Sequence, residues 1–191
     1  LGPTLALLTG TLSATLLIVL LTWRMFLLHL MDLWSFSADY IRRRRPHVHE
    51  RIDSWGDYVS ELVLKGETDE ILLVGHSTGG AIILDVAASA AQSCVRKKVE
   101  PEFTIVTVGS TSLKIGFHPA ARWFANKIGE MERHAGVNWF EYQAVTDLIN
   151  FYRCDPFALM GLRKSRTLPF PAVGRVRFKH MLSEQYYERI K

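Results

Sequence analysis

Residues 70–81 read EILLVGHSTGGA: a short aliphatic run, a Gly-His-Ser-Thr-Gly turn and the start of a helix-forming segment. The aliphatic run at 71–74 predicts a strand that is buried on both faces of a parallel sheet. A serine at the tip of so sharp a turn takes strained backbone angles, so Gly75 and Gly79 should let strand and helix approach closely. The pattern predicts a strand–turn–helix unit with the Ser77 hydroxyl above the sheet. The alternative is a glycine-rich turn that packs a helix or binds a phosphate.

Three further strands are predicted downstream, at 102–109, 138–144 and 173–179, with a helix at 119–133. Together with residues 71–74 they predict an α/β fold, a mostly parallel sheet flanked by helices, with the last strand at an edge. Residues 48–65 predict an amphipathic helix that packs on this sheet. Its apolar stripe consists of Ile52, Trp55, Val59, Leu62 and Val63.

Two polar residues follow the predicted strands and join Ser77 as candidate catalytic groups. Asp147 lies just after residues 138–144, and His180 follows the last strand. Catalytic groups of open parallel sheets collect at the carboxyl ends of the strands. We therefore expect Ser77 to attack an acyl carbonyl, His180 to transfer the proton and Asp147 to orient the imidazole.

Each partner of the serine has an alternative explanation. Asp155 rivals Asp147 as the acid, although its place before Pro156 is also typical of a turn. Asp147 itself fits the N-cap of a short turn, and His180 fits a surface histidine ahead of the terminal helix.

Thr78 is the one oxyanion donor that the sequence offers, through its backbone N–H at the start of the helix. A second donor normally comes from a loop after an earlier strand, and no glycine-rich turn of that kind precedes residue 70. Either residues before Leu1 supply the remaining strands, or the sheet is a reduced one. A single donor would forfeit roughly 3–4 kcal/mol of transition-state stabilisation.

The N-terminal segment is a second strong signal, because residues 5–23 are almost wholly apolar. At about 1.5 Å per residue this run covers roughly 30 Å, the thickness of a hydrocarbon core. Residues 25–36 continue it as an amphipathic, interfacial stretch, and four arginines follow at 42–45. A secretory signal has the reverse arrangement. We therefore predict a transmembrane helix and basic segment at 1–46, and a domain at 47–191 that faces the cytoplasm; the alternative is a long buried helix.

The positive charge of the chain is concentrated in two segments. The net charge of +4 is explained mostly by the arginines at 42–45 and by a second basic cluster. This cluster predicts a loop that faces a membrane or an acidic substrate, or an ordinary solvated loop. Its members are Arg163, Lys164, Arg166, Arg175, Arg177 and Lys179.

No zinc spacing, RNA-binding strand or helix-turn-helix pattern is visible, so we expect no nucleic acid as a partner. His47 and His49 lack the further ligands of a metal site and are assigned to the surface. Cys94 and Cys154 are too few for a disulfide framework and are expected to be free thiols.

The chain resembles an α/β-hydrolase and is most similar to the class 3 (fungal-type) lipases. Those enzymes pair a GHS-x-GG turn with a strand that ends in T-x-G-S/T-P, and the counterparts here are residues 75–80 and 107–110. Residues 146–149 resemble the family's N-x-x-D-x-(V/I) stretch around the acid, and His180 precedes an aromatic helix with Tyr186 and Tyr187. Thr78 replaces the usual leucine and Thr111 the proline. The resemblance covers about the C-terminal two-thirds of the chain.

The resemblance implies a serine hydrolase that cleaves carboxylic esters in the manner of a lipase or esterase, and the apolar N-terminal segment predicts that it is membrane-anchored and acts on lipophilic substrates. Membrane lipid and a lipophilic ester are the expected partners, and the triad needs neither cofactor nor metal. Two alternatives stay open. One is a non-catalytic membrane protein with a degenerate hydrolase fold used as an interaction module, and the other is an acyltransferase with the same triad.

Overall fold

The computed structural model describes residues 2–25, 27–145, 147 and 149–190. The chain forms two compact units, Leu1–Tyr40 and Ile41–Lys191. The functional division expected between residues 46 and 47 stays a prediction.

The first unit contains α1 (Pro3–Met25) and most of α2 (Leu27–Ile41). Helix α1 is long and apolar enough to cross a membrane over Pro3–Trp23, and none of that window is buried. A signal sequence near the N-terminus meets the same criteria of length and composition. The hydroxyls of Thr9, Thr11 and Thr15 donate to backbone carbonyls one turn earlier, which satisfies these polar groups within the helix.

The second unit alternates strands and helices. Its elements are α3 (Pro46–Lys65), β1 (Leu72–His76), α4 (Thr78–Arg96), β2 (Phe103–Val108), α5 (Ser112–Gly116), a 3₁₀ turn (Pro119–Ala121), α6 (Arg122–Met131), β3 (Val137–Ala144), α7 (Pro156–Leu159), β4 (Ala172–Val176), α8 (Phe178–Met181) and α9 (Glu184–Ile190).

The four strands form one sheet in the order β1-β2-β3-β4, and every pair is parallel. One row of the register joins Val74, Val106, Phe140 and Ala172. Parallel neighbours need a crossover between them, and α4 and α6 lie in the first two crossovers. The predicted α/β class with a parallel sheet is confirmed, and β4 lies at an edge as expected.

Helix α4 is the core helix of this unit. It packs on β1 and β2 and also contacts α3 and α6. Gly56 of α3 permits a close crossing, because a Cβ there would lie 2.5 Å from the Ser89 Cβ. The buried carboxylate of Asp85 pairs with the Lys127 ammonium of α6 at 2.5 Å, and this ammonium also contacts the Ser89 hydroxyl at 2.6 Å. The polar groups of α4 are therefore matched by its neighbours.

The opposite face of the sheet is open, which corrects one prediction. Residues 71–74 were expected to be buried on both faces, yet Leu72 and Val74 are 52% and 58% exposed while Leu73 is buried. Phe140 and Tyr142 lie on the same open face of β3 and are partly exposed. Within the described residues, helix α4 covers only that side of β1 to which Leu73 points.

Three smaller predictions also need correction. Trp55 was placed on the buried stripe of α3 but is 51% exposed, whereas Ile52 and Val59 of that stripe are buried. His49 is buried rather than on the surface, because its ring packs edge-on against Trp123 of α6 with centroids 5.4 Å apart. The last strand ends at Val176 rather than at residue 179, since α8 begins two residues later.

A buried polar row crosses the helix-covered face of the sheet. Thr107 of β2 pairs in register with Glu141 of β3, and both are almost fully buried. The Trp139 indole N–H donates to the Thr107 hydroxyl at 2.7 Å, and that hydroxyl donates to the Glu141 carboxyl. Burial raises the pKa of Glu141 to about 7, outweighing hydrogen bonds from Thr107 and from the Ser110 backbone that favour the charged form.

This pKa makes stability depend on pH in a definite direction. The native state binds the Glu141 proton more tightly than the unfolded state, so stability decreases as pH rises from about 4.5 to about 7. Such a shift corresponds to about 3 kcal/mol. We expect Glu141→Gln to remove this loss, so that the variant unfolds at higher denaturant than wild type at pH 8 but not at pH 4.5. Denaturant unfolding of the full chain in detergent micelles measures the difference.

Glu130→Gln is the matched control, because this carboxylate is 53% exposed. It should keep the pH dependence of wild type. If the stability of wild type and of Glu141→Gln changed equally with pH, the raised pKa of Glu141 would be contradicted.

Candidate active site

Ser77 occupies the turn between β1 and α4 in a conformation that few non-glycine residues adopt. Its φ is 54° and its ψ is −125°, a strained combination that costs on the order of 1–3 kcal/mol. Three backbone hydrogen bonds hold it there. The Ser77 N–H donates to the Val108 carbonyl at 3.0 Å, and the Ser77 carbonyl accepts from the N–H groups of Gly80 and Thr111 at 3.0 and 3.1 Å. The turn is thus held by its own helix and by the end of β2.

Of the two glycines predicted to bring strand and helix close together, one does so and the other does not. A Cβ at Gly75 would lie 2.5 Å from the Ile83 Cγ2 and 2.6 Å from the Gly79 carbonyl oxygen, so the predicted close approach of β1 and α4 at Gly75 is confirmed. The same prediction for Gly79 is wrong, because a Cβ there would meet no described atom within 4 Å. Gly80 is the second tight position, where a Cβ would lie 2.7 Å from the Ser110 Oγ.

The candidate acid lies beside the end of β2. Gly109 has a φ of +53°, and a Cβ at this position would lie 2.5 Å from the Asp147 Oδ2. The other carboxylate oxygen of Asp147 accepts from the N–H groups of Ile149 and Asn150 at 2.9 and 3.3 Å. The capping role considered for Asp147 is therefore present, and it leaves Oδ2 against the Gly109 backbone. Thr146 and Leu148, which belong to the stretch that resembles the lipases, lie outside the described residues.

The rival acid is engaged elsewhere. One oxygen of Asp155 accepts from the N–H groups of Phe157 and Ala158 at the start of α7, at 3.0 and 3.1 Å. Its other oxygen pairs with the Lys164 ammonium at 2.5 Å. The turn role of Asp155 is confirmed, which favours Asp147 as the acid.

His180 lies in the short helix α8, four residues after β4 ends. Its ring is exposed, and its backbone N–H donates to the Arg177 carbonyl at 2.9 Å. In the described part of the chain, no side-chain hydrogen bond joins Ser77, Asp147 and His180. Strands β1 and β4 are three spacings apart, roughly 14 Å, so contact between the serine and the histidine depends on how far the segment after β4 reaches back over the sheet.

The three residues nonetheless share one edge of the sheet. Ser77 follows β1, Asp147 follows β3 and His180 follows β4, and all four strands run in the same direction. Their carboxyl ends therefore meet at one edge, where ligands of open parallel sheets bind. The assignment of Ser77, Asp147 and His180 as a catalytic triad stays a prediction.

Thr78 is the first residue of the nineteen-residue helix α4. The first N–H groups of a helix have no partner within the helix, and the positive end of the helix dipole lies there. The Thr111 hydroxyl contacts the Thr78 hydroxyl at 3.5 Å. The start of α4 can therefore offer backbone donors to an anion, and the role of Thr78 as an oxyanion donor stays a prediction.

The second basic cluster divides into two groups. Arg166 is structural, since it donates to the His134 and Val137 carbonyls and its guanidinium lies 4.3 Å from the Phe170 ring centroid. Lys164 pairs with Asp155. The remaining members are exposed, and no ion pair is found for them within the described residues; they are Arg163, Arg175, Arg177 and Lys179.

Sequence reasoning missed the residues that support the serine turn. The sequence marks Thr107, Gly109 and Ser110 only as part of a motif, and it predicts Glu141 as an ordinary strand residue. A signal was present in β3, where Trp139, Glu141 and Gln143 alternate with Phe140 and Tyr142. Successive side chains of a strand point to opposite faces, so Glu141 and Gln143 share the face of Trp139. Polar groups on a face that packs against helices need hydrogen-bond partners in the core.

Searches against protein-family models, curated proteins and solved structures find no match to this chain.

Proposed function

We propose that this protein is a membrane-anchored serine hydrolase of the α/β-hydrolase class, similar to the class 3 lipases, that cleaves carboxylic esters of lipophilic molecules. The observation that carries the proposal is the conformation of Ser77, which combines φ near +54° with a position between a parallel strand and the N-terminus of a helix. Strain of this kind persists only where the surroundings enforce it, and it is typical of functional sites. An ordinary packing turn would use glycine there.

The proposed reaction has two steps. In the first, His180 removes the Ser77 proton, the serine oxygen bonds to the ester carbonyl, and the alcohol leaves with that proton. In the second, water activated by His180 attacks the acyl-enzyme, which releases the acid and regenerates Ser77. Asp147 stabilises the imidazolium, and the Thr78 N–H stabilises the oxyanion.

The N-terminal helix supports the membrane part of the proposal. Helix α1 meets the length and composition of a membrane span. The four arginines at 42–45 follow directly after the end of α2 at Ile41. Basic residues beside a span favour the cytoplasmic side and attract anionic headgroups. A lipophilic ester would reach such a site from the bilayer.

One observation favours a second candidate, the non-catalytic interaction module. The open sheet face exposes Leu72, Val74 and Phe140, and contiguous exposed apolar surface is typical of contact sites. An acyltransferase with the same residues is distinguished from a hydrolase by transfer of the acyl group to an added alcohol in place of water.

Labelling with a fluorophosphonate probe tests the triad. We expect the folded wild-type chain in micelles to be labelled, and Ser77→Ala to be unlabelled because the attacking oxygen is gone. His180→Ala and Asp147→Asn should slow labelling by roughly 10³–10⁴-fold. In-gel fluorescence against time measures the rates.

The controls are His47→Ala, an exposed histidine of α3, and Asp155→Asn, the residue that caps α7. Both should label at the wild-type rate. A folded wild-type chain that does not react would reject the hydrolase and favour the interaction module.

Gly109→Ala tests the place of the acid without touching the triad. The added methyl group would lie 2.5 Å from the Asp147 Oδ2, so the carboxylate must move. Displacements of about 1 Å cost on the order of 10²-fold in rate, and we expect a labelling defect of that order.

Gly161→Ala is the matched control, because Gly161 also has a positive φ but a Cβ there meets no described atom within 4 Å. It shares the backbone strain of about 1 kcal/mol and should keep the wild-type labelling rate. Equal labelling rates for Gly109→Ala and Gly161→Ala would show that Asp147 takes no part in the reaction.

Orientation is tested by cysteine accessibility in sealed cells, with Cys154→Ser as background because Cys94 is buried. Arg44→Cys should react with a membrane-impermeant maleimide only after permeabilisation, and Gly2→Cys should react before it. The reverse pattern would place the hydrolase unit outside.

A further inference from the structure

We propose that Glu141 is a positioning residue for the serine turn: through the loop at 109–112 it fixes the Ser77 carbonyl, and with it the direction of the Ser77 hydroxyl. The effect on reactivity rests on the proposed function. The structural link between Glu141 and the turn does not.

The first step of the link joins β3 to the loop. The Glu141 carboxyl accepts a hydrogen bond from the Thr107 hydroxyl, and the Ser110 backbone, as a hydrogen-bond donor to the same carboxyl, lowers its pKa against the effect of burial. The Thr107 hydroxyl is itself oriented by the Trp139 indole, which donates to it at 2.7 Å. All three side chains are almost fully buried, so water does not compete for these bonds.

The second step joins the loop to the serine. The N–H of Thr111, directly after Ser110, donates to the Ser77 carbonyl at 3.1 Å. The Ser110 hydroxyl accepts from the Ser112 N–H at 3.1 Å and lies against Gly80, and the Gly80 N–H also donates to the Ser77 carbonyl. Loss of the Ser110 anchor therefore loosens both hydrogen bonds to that carbonyl.

A carboxyl at this position is not explained by stability. Its raised pKa shows that ionisation is penalised in the fold, and an apolar side chain of similar size would avoid that penalty. Buried carboxyls retained at such a cost are typical of functional sites.

Charged groups on the neighbouring elements do not cause the raised pKa of Glu141. Strand β2 has no titratable residue, and Tyr142 of β3 faces the other side of the sheet. Arg175 of β4 is exposed, Asp85 of α4 pairs with Lys127, and Asp147 lies against Gly109.

The test compares Glu141→Leu, which removes both acceptor oxygens, with Glu141→Gln, which keeps one. Gln143→Leu is the matched control. Gln143 lies on the same strand and face and is equally buried, but it bonds to the backbone of Cys154 rather than to the loop. Thr107→Val, which removes the donor but keeps the shape, is a second variant with the same expected effect as Glu141→Leu.

Amide hydrogen exchange of the full chain in micelles is the first measurement. We expect Glu141→Leu and Thr107→Val to raise the exchange rates of the Gly80 and Thr111 amides by about tenfold or more, because local opening becomes easier. Glu141→Gln and Gln143→Leu should leave these rates near wild type.

Fluorophosphonate kinetics are the second measurement. In Glu141→Leu the maximal labelling rate should fall roughly 10–100-fold with little change in probe affinity, since the serine is misdirected rather than the pocket lost. Restoration of the rate by Glu141→Gln would support positioning.

The outcomes separate the two proposals. Unchanged exchange at Gly80 and Thr111 in both Glu141→Leu and Thr107→Val overturns the link, whatever the labelling rates are. Faster exchange with wild-type labelling overturns the role of Glu141 in directing the hydroxyl. A wild-type chain that never labels rejects the hydrolase, and the exchange rates then still decide whether Glu141 holds the turn.

Discussion

The close approach of helix α4 to strand β1 is the constraint on which the rest of the second unit depends. With no room for a side chain at Gly75 and little at Gly80, the chain must reverse within the single residue between strand and helix. That residue then takes the positive φ seen at Ser77. A strained residue persists only if its backbone groups are bonded, and both the carbonyl and the N–H of Ser77 bond to the segment at the end of β2. The serine turn and the second strand are thus one structural unit.

The parallel direction of the strands is predictable from sequence, whereas their exposure is not. Aliphatic runs before and after the serine predict parallel strands, because such runs are buried by crossover helices. A run of this kind does not reveal which face the helices cover. The prediction of burial is therefore wrong for Leu72 and Val74, which lie on the uncovered face. The spacing of a glycine motif has a similar limit. It predicts close packing at Gly79, although Gly80 is the glycine that lies against Ser110.

The candidate site divides in the same way. Ser77, Asp147 and His180 follow strands that the sequence identifies, so their common edge is predictable. Their separation is not, because the segments after β3 and β4 are shaped by tertiary contacts such as that of Asp147 with Gly109. Glu141 and Thr107 were not predicted, since a polar residue in a strand usually faces solvent, and only the packed sheet reveals that these two bond to each other in the core.

Helix α4 carries a consequence for biosynthesis. Within the described residues, α4 is a second helix that is apolar and long enough to qualify as a span, so the proposed membrane insertion has to distinguish it from α1. Asp85 lies near the middle of α4, and an aspartate there raises the insertion cost by about 2.5–3.5 kcal/mol. The same carboxylate that pairs with Lys127 in the finished core therefore discourages the nascent helix from entering the bilayer. The first twenty positions of helix α1 hold no ionised side chain, so under the proposed membrane anchoring α1 is the preferred segment for insertion.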